Sequence, residues 1–170
     1  MSQPTDQASS QIDTAPLQLL TFSLGDERYA TRINQVQEVL EYTEMTRVPR
    51  SPDFMKGVIN LRGNVVPVVD LRLQFGMGPC EPTIDTCIII IEANLGDEVT
   101  LLGALADSVQ EVIELDASQT RPPPSMGGKV DTRFISAMGK VEDEFIVILD
   151  LDKVFSSTEL VQLQEIVSPE

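Results

Sequence analysis

The stretch Gly57-Val58-Ile59-Asn60-Leu61-Arg62-Gly63-Asn64-Val65-Val66-Pro67-Val68-Val69-Asp70-Leu71 decides the fold class. Its two apolar arms meet at Gly63-Asn64, a pair that tolerates the positive φ angles of tight hairpin turns. The arms are rich in valine and isoleucine, whose β-branched side chains suit a pleated surface. The stretch reads as a β-hairpin. Pro67 has no N–H to give to a ladder, so the second arm is expected to meet a sheet edge or a bulge there. Neither Val65-Val66-Pro67-Val68-Val69 nor Ile88-Ile89-Ile90-Ile91 further on alternates apolar with polar. A strand with one wet face alternates. Both faces of these strands are therefore expected to be covered, by another layer of the same chain or by a partner protein.

Outward from the hairpin, short strand-like runs continue in both directions. Residues 17–24 and 27–31 form a pair around Gly25-Asp26, residues 34–36 a helical turn, and residues 37–42 an extended run. Pro49-Arg50-Ser51-Pro52 breaks the chain, and a helical turn is expected over 52–56. Beyond a linker at 76–82, residues 84–92 and 99–106 pair around a turn at 94–97. Residues 109–115 extend, 117–131 form a loop with Pro122-Pro123-Pro124 and Gly127-Gly128, and 134–138 with 145–149 make a second hairpin. Ser156 and Glu159 have the spacing of a capping box, and Leu160, Val161, Leu163 and Ile166 give a short C-terminal amphipathic helix. Residues 1–16 read as a disordered acidic tail, and residues 161–170 as the helix end and a tail.

An internal repeat organises these pieces. Val36-Gln37-Glu38-Val39 recurs as Val109-Gln110-Glu111-Val112. In each copy a strand pair precedes the motif, a Pro-containing loop comes after it, and a hairpin closes on Asp-Leu, at Asp70-Leu71 and Asp150-Leu151. Gly63 and Gly139 are aligned as matching turns, which makes Met138 the counterpart of Arg62 and the second hairpin about four residues longer. Five short strands per copy are too few for a good open sheet but curl into a closed barrel that hides its edges. The expectation is a mostly β protein of two small five-stranded barrels, over 17–78 and 79–160, with short helices and a C-terminal helix.

Composition narrows the chemistry. The chain has 170 residues, a net charge of −15 and no histidine. A Ser-His-Asp triad, a Cys-His pair and imidazole metal ligation are thereby excluded. No Gly-rich phosphate loop is present, and abundant Asp and Glu are explained by a solvated surface without a carboxylate-dependent hydrolase. The expectation is no enzyme, no cofactor and no metal. Nucleic-acid binding requires clustered Lys and Arg with stacking aromatics, whereas aromatics here are 5% and tryptophan is absent. Cys80 and Cys87 match neither a zinc pattern nor a disulfide framework, and Cys87 reads as a core residue. No run is long enough to insert in a membrane, and the N-terminus lacks a secretory signal. A cytoplasmic protein is expected.

The segment VPRSPDFMKGVINLRGNVVPVVDLR, residues 48–72, closely resembles the most recognisable stretch of the CheW family of chemotaxis coupling proteins. Phe22-Ser23-Leu24, the Val36-to-Val39 motif, and Leu105-Ala106-Asp107-Ser108-Val109-Gln110-Glu111-Val112 add to the resemblance, which spans about 17–155. It implies two SH3-like barrels without catalytic activity. It also implies binding to the cytoplasmic signalling tip of chemoreceptors and to the regulatory domain of the CheA histidine kinase, at membrane-associated arrays. The resemblance places Val36 and Glu38 at the receptor-binding groove, with Gly57 and Gly63 flanking it. It marks no individual residues for the kinase.

Arg62 stands out on its own terms. It lies beside a hairpin turn, and the other copy does without arginine there, so the fold does not require it. Its five donors suit an acidic or polar helical surface; a salt bridge to Glu38 is the structural alternative. Glu38 recurs as Glu111, which points to a shared structural role. Gly57 and Gly63 are expected to allow a bulge and a turn. Val58, Ile59, Val66, Val68 and Val69 are expected to be core. Asp70 and Asp150 are each expected to cap the turn or short helix after their strand.

Overall fold

The computed structural model describes residues 16–79, 81–95, 98–123 and 132–155. The expected strands form, in the order β1 (Leu17–Leu24), β2 (Glu27–Arg32), β3 (Val36–Glu41), β4 (Met55–Leu61) and β5 (Asn64–Asp70), then a short helix α1 (Leu71–Gln74). They continue as β6 (Cys87–Leu95), β7 (Glu98–Ala106), β8 (Ser108–Leu115), β10 (Ile135–Val141) and β11 (Glu144–Leu149), and end in α2 (Leu151–Phe155); a two-residue strand, β9 (Thr120–Arg121), forms within the stretch expected to be loop. A 3-10 turn, Ile33–Gln35, stands where a helical turn was expected. The helical turn expected over 52–56 is only a tight turn at 52–54, closed by Met55 N on Pro52 O at 3.0 Å, and Met55 and Lys56 already belong to β4. The start of the strand expected at 84 is delayed to Cys87, because Thr83 N and Asp85 N bind the hydroxyls of Thr86 and Thr83 and hold a turn. The tail at 1–15, the Gly127-Gly128 loop, Cys80 and the capping box at Ser156 lie outside the described residues.

The strands make two sheets, ordered β8-β1-β2-β11-β10-β9 and β3-β6-β7-β5-β4. Each is closed by one stretch of chain that pairs with both of its edges. In the first, β8 pairs with β1, and the same stretch continues into β9, which pairs with β10. In the second, β3 pairs with β6, and Thr46 just beyond it bridges Val58 of β4. These are two small barrels, but their boundaries are not 17–78 and 79–160. The chain from β3 to β7 makes one, the middle barrel; β1 and β2 join β8 to β11 in the other, the terminal barrel. Linker length explains the exchange. Within one copy, β2 and β3 would both flank β1 and so run parallel, and a parallel crossover needs about a dozen residues. Only three residues, 33–35, separate β2 from β3, and Asp107 alone separates β7 from β8. The chain therefore runs straight from one barrel into the next.

The shared core results from the exchange. Ile88 and Ile90 point into the middle barrel with Ile59, Leu61, Val66 and Val68. Ile89 and Ile91 point the other way, into a cluster between the barrels with Leu20, Phe22, Tyr29, Val69, Leu149 and Phe155. The terminal barrel has its own small interior of Leu19, Ala30, Leu115, Ile146 and Ile148. The non-alternating isoleucine run is thus covered on both faces by this chain. Val65 departs from that pattern and is 56% exposed. Pro67 sits where the parallel pairing of β5 with β7 has not yet begun, at Val68, so a locally unpaired edge accommodates it. Cys87 is half-buried at the start of β6 rather than in the core, with its thiol bound to Asp85 O.

The two hairpins have equal length, which corrects the alignment of the repeat. Leu61 pairs with Asn64 and Val141 with Glu144, each across two residues. Both first arms carry a register shift, at Met55/Gly57 and at Ile135/Ala137. The counterpart of Arg62 is therefore Glu142, not Met138, and the turn is Arg62-Gly63, not Gly63-Asn64. Arg62 and Gly63 have φ of 51° and 89°, and Asn60 Oδ1 accepts from Gly63 N at 2.8 Å. Gly139 lies mid-strand opposite Ile146, and a Cβ there would stand 2.6 Å from Leu115 Cδ1, so that glycine makes room for packing.

Candidate functional site

Strand β3 alternates along its length: Val36, Glu38 and Leu40 are half-buried, and Gln37, Val39 and Glu41 are exposed. Val36 packs against the core between the barrels. Glu38 faces the tip of the β4–β5 hairpin, where its carboxylate accepts from the Arg62 guanidinium. The Arg62 side chain is 69% exposed and that of Glu38 29%. The hydrogen bond and charge of Glu38 push the Arg62 pKa further up, so the cation is permanent. Screening by solvent keeps such a pair from adding much to stability. Its effect is geometric: it holds an always-charged fork on a two-residue turn, aimed outward, beside Gly63.

The structure thus brings Glu38, Arg62 and Gly63 together, with Val36 two positions away on the same strand. Gly57 stands apart, five residues back along β4. A Cβ on it would lie 2.6 Å from the Thr46 carbonyl oxygen and 2.9 Å from Met45 Cβ, at a φ of 156° that favours glycine. Its absence lets Thr46 and Val58 exchange backbone hydrogen bonds of 3.0 and 2.8 Å, which close the middle barrel.

The repeated glutamate is anchored in both copies, by different arginines. In the terminal barrel Arg28 of β2 lies 3.8 Å from Glu111, binds Glu144 at 3.2 Å, and donates to Gln110 Oε1 at 2.8 Å. Sequence reasoning missed Arg28, because the strand that carries it belongs to the first copy in sequence and to the second barrel in space. Where the middle barrel presents Arg62, the terminal barrel presents Glu142. Exposed apolar side chains recur at matched places, Val39 with Val112 and Val65 with Phe145. Among the described residues no group of three or more His, Cys, Asp or Glu side chains is placed to hold a metal ion, and no helix is long and apolar enough to cross a membrane.

Two barrels with exchanged strand pairs, an Asp-Leu step after each hairpin, and the sequence motifs between them set the frame for comparison with known proteins. The CheW-like domain model matches residues 18–159. The chain belongs to the CheW family. It is 35% identical over 148 residues to the chemotaxis protein CheW of Klebsiella aerogenes, with 87% of each chain covered. It is 30% identical over 152 residues to the probable chemotaxis protein CheW of Rhizobium etli, covering 89% of this chain and 96% of that one. The crystal structure of the scaffolding protein TtCheW of Thermoanaerobacter tengcongensis superposes with a TM-score of 0.76 at 37% identity, covering 85% of this chain and 90% of that chain. The two barrels, built on a six-stranded and a five-stranded sheet, are therefore the CheW fold, small and SH3-like.

Proposed function

We propose that this CheW-family chain is a non-enzymatic scaffold coupling the cytoplasmic signalling tip of chemoreceptors to the regulatory domain of the CheA histidine kinase. Arg62 carries the reading. It is a cation held outward on a hairpin tip by Glu38, in a fold whose equivalent tip carries the opposite charge. A structural need common to both barrels would not reverse sign between them. The receptor surface comprises Val36, Glu38, Arg62 and Gly63, with Gly57 keeping β4 in place. A protein without a membrane-crossing helix among its described residues would reach the array from the cytoplasm by this binding.

Co-sedimentation with membranes bearing the organism's chemoreceptors, with and without the kinase, tests the proposal. The protein is expected to pellet with receptors, more strongly with kinase present, and Arg62→Glu to remain in the supernatant with an unchanged circular-dichroism spectrum. Wild type left in the supernatant under both conditions would end the coupling reading; an unfolded Arg62→Glu would end the Arg62 assignment. A second reading keeps the same surfaces in an array with another output, type IV pili or a second messenger. A relative of a different name supports it: Protein FrzA of Myxococcus xanthus is 34% identical over 107 residues, covering 63% of this chain.

A further inference from the structure

The helices after the two hairpins are equivalent, Asp70-Leu71-Arg72 in one and Asp150-Leu151-Asp152 in the other, and the third residue of each reaches across the seam between the barrels. Arg72 Nη1 binds Asp107 Oδ2 at 2.7 Å, and the same oxygen accepts from Gly25 N at 2.6 Å. Asp107 is the residue between β7 and β8, and Gly25 forms the tip of the β1–β2 pair. At the matching place, Asp152 Oδ1 accepts from Gln35 Nε2 and from Asn94 N, each at 2.9 Å. Gln35 ends the linker between β2 and β3, and Asn94 lies near the tip of the β6–β7 pair. Each contact thus joins three things: a helix of one barrel, the linker that crosses between barrels, and the strand pair housed in the other. The chemistry is reversed, with a guanidinium donating on one side and a carboxylate accepting on the other, so geometry and not residue type is what the repeat retains.

The Asp152 contact has a consequence at the proposed receptor surface. The ladder between β3 and β6 shifts register between Val36 and Glu38, so pairing alone leaves the first residues of β3 weakly determined. Gln35, immediately before Val36, is held by Asp152 and more loosely by Glu92 O at 3.3 Å. A half-buried carboxylate oxygen shared by two donors makes charge-assisted bonds, about twice as strong as neutral ones.

We infer that Asp152 is a positioning residue: from the terminal barrel it sets the start of β3 and so the placement of Val36 and Glu38, and through Glu38 the aim of Arg62. The inference rests on the reading of those residues as the receptor surface. Its test pairs amide hydrogen exchange, read by NMR on the full chain, with the co-sedimentation assay for Asp152→Ala, Asp152→Asn and Gln35→Met. In Asp152→Ala, exchange at Asn94 and at residues 36–38 is expected to rise by at least about tenfold, the loss of one charge-assisted bond, while residues 146–149 keep their protection. Receptor binding is expected to fall several-fold. Asp152→Asn, which retains an acceptor oxygen, restores most of both, and Gln35→Met reproduces the change at 36–38 without disturbing the helix. Unchanged exchange at 36–38 overturns the inference, as does a uniform rise across both sheets, which marks a general loss of stability. If the local exchange changes appear but wild type itself does not bind receptors, the receptor reading fails while the hold of Asp152 on β3 stands.

Discussion

Arg62 occupies a left-handed backbone position, with φ of 51°, that a non-glycine residue adopts at a cost. Glycine or asparagine would serve the turn better, so the arginine is there for its side chain. Arg62→Asn is accordingly expected to keep or slightly raise the midpoint of thermal unfolding while losing receptor co-sedimentation, a separation that a purely structural residue would not show. Gly57 is the converse case. Gly57→Ala drives a methyl against the Thr46 carbonyl and is expected to destabilise the protein by roughly 1–3 kcal/mol in denaturant titration, with any loss of coupling arising from that. Tyr29 adds a pH dependence. Burial, then its hydrogen bond to Glu27 at 2.7 Å and the charge of that carboxylate, raise its pKa well above the ordinary 10.0. A group whose pKa is raised by folding contributes stability below its unfolded value and loses it as pH climbs. Stability is therefore expected to fall as pH rises above 10.0, and Tyr29→Phe to flatten that part of the profile, read by unfolding midpoints.

At the scale of elements, each hairpin hands over to a helix through an aspartate. Asp70 is fully buried, and its Oδ1 accepts from Arg72 N at 3.0 Å. Asp150 does the same for Lys153 N at 3.2 Å. Asp70→Ala is expected to cost about 0.5–2 kcal/mol, the range for a lost cap, measured by urea unfolding. The elements themselves were largely legible. Strands β1, β2, β7, β8 and β11 fall within a residue or so of where the sequence places them, because turn signals bound each short run closely. The misplaced features were those that local composition does not settle. Gly63-Asn64 is a good turn pair by residue type, yet Asn60 caps the turn one residue earlier and sends Asn64 into the strand. Gly139 resembled a turn glycine and is a packing glycine, which is visible only once Leu115 is laid against it.

For the whole molecule, the exchange of strand pairs predicts how the chain can be divided. A fragment of residues 17–78 holds β1 to β5, but β1 and β2 find their partners in β8 and β11, and β3 and β5 find theirs in β6 and β7. Such a fragment is expected to show no cooperative unfolding transition and a collapsed set of amide shifts in NMR, despite containing one complete copy of the sequence repeat. A folded fragment would mean that the unexchanged barrel is accessible after all. The repeat, the strand content, the coverage of the isoleucine run and the family motifs were available from residue order, since each depends on neighbours in sequence or on a recurrence along it. The barrel boundaries are also latent there, in linkers of three residues and one, too short for the crossover that an unexchanged barrel requires.

What the sequence by itself determined is the class of fold, the family and the capping aspartates. Only the tertiary structure decided which strand pair enters which barrel, that Glu38 and Glu111 take their arginines from different elements, and that Asp152 reaches Gln35. The physical reason is common to all three. The two copies of Val-Gln-Glu-Val present the same side chains to a prospective partner, so local chemistry cannot choose between them. The choice is made by chain connection and by the core that the two barrels bury together, and both act between residues distant in sequence.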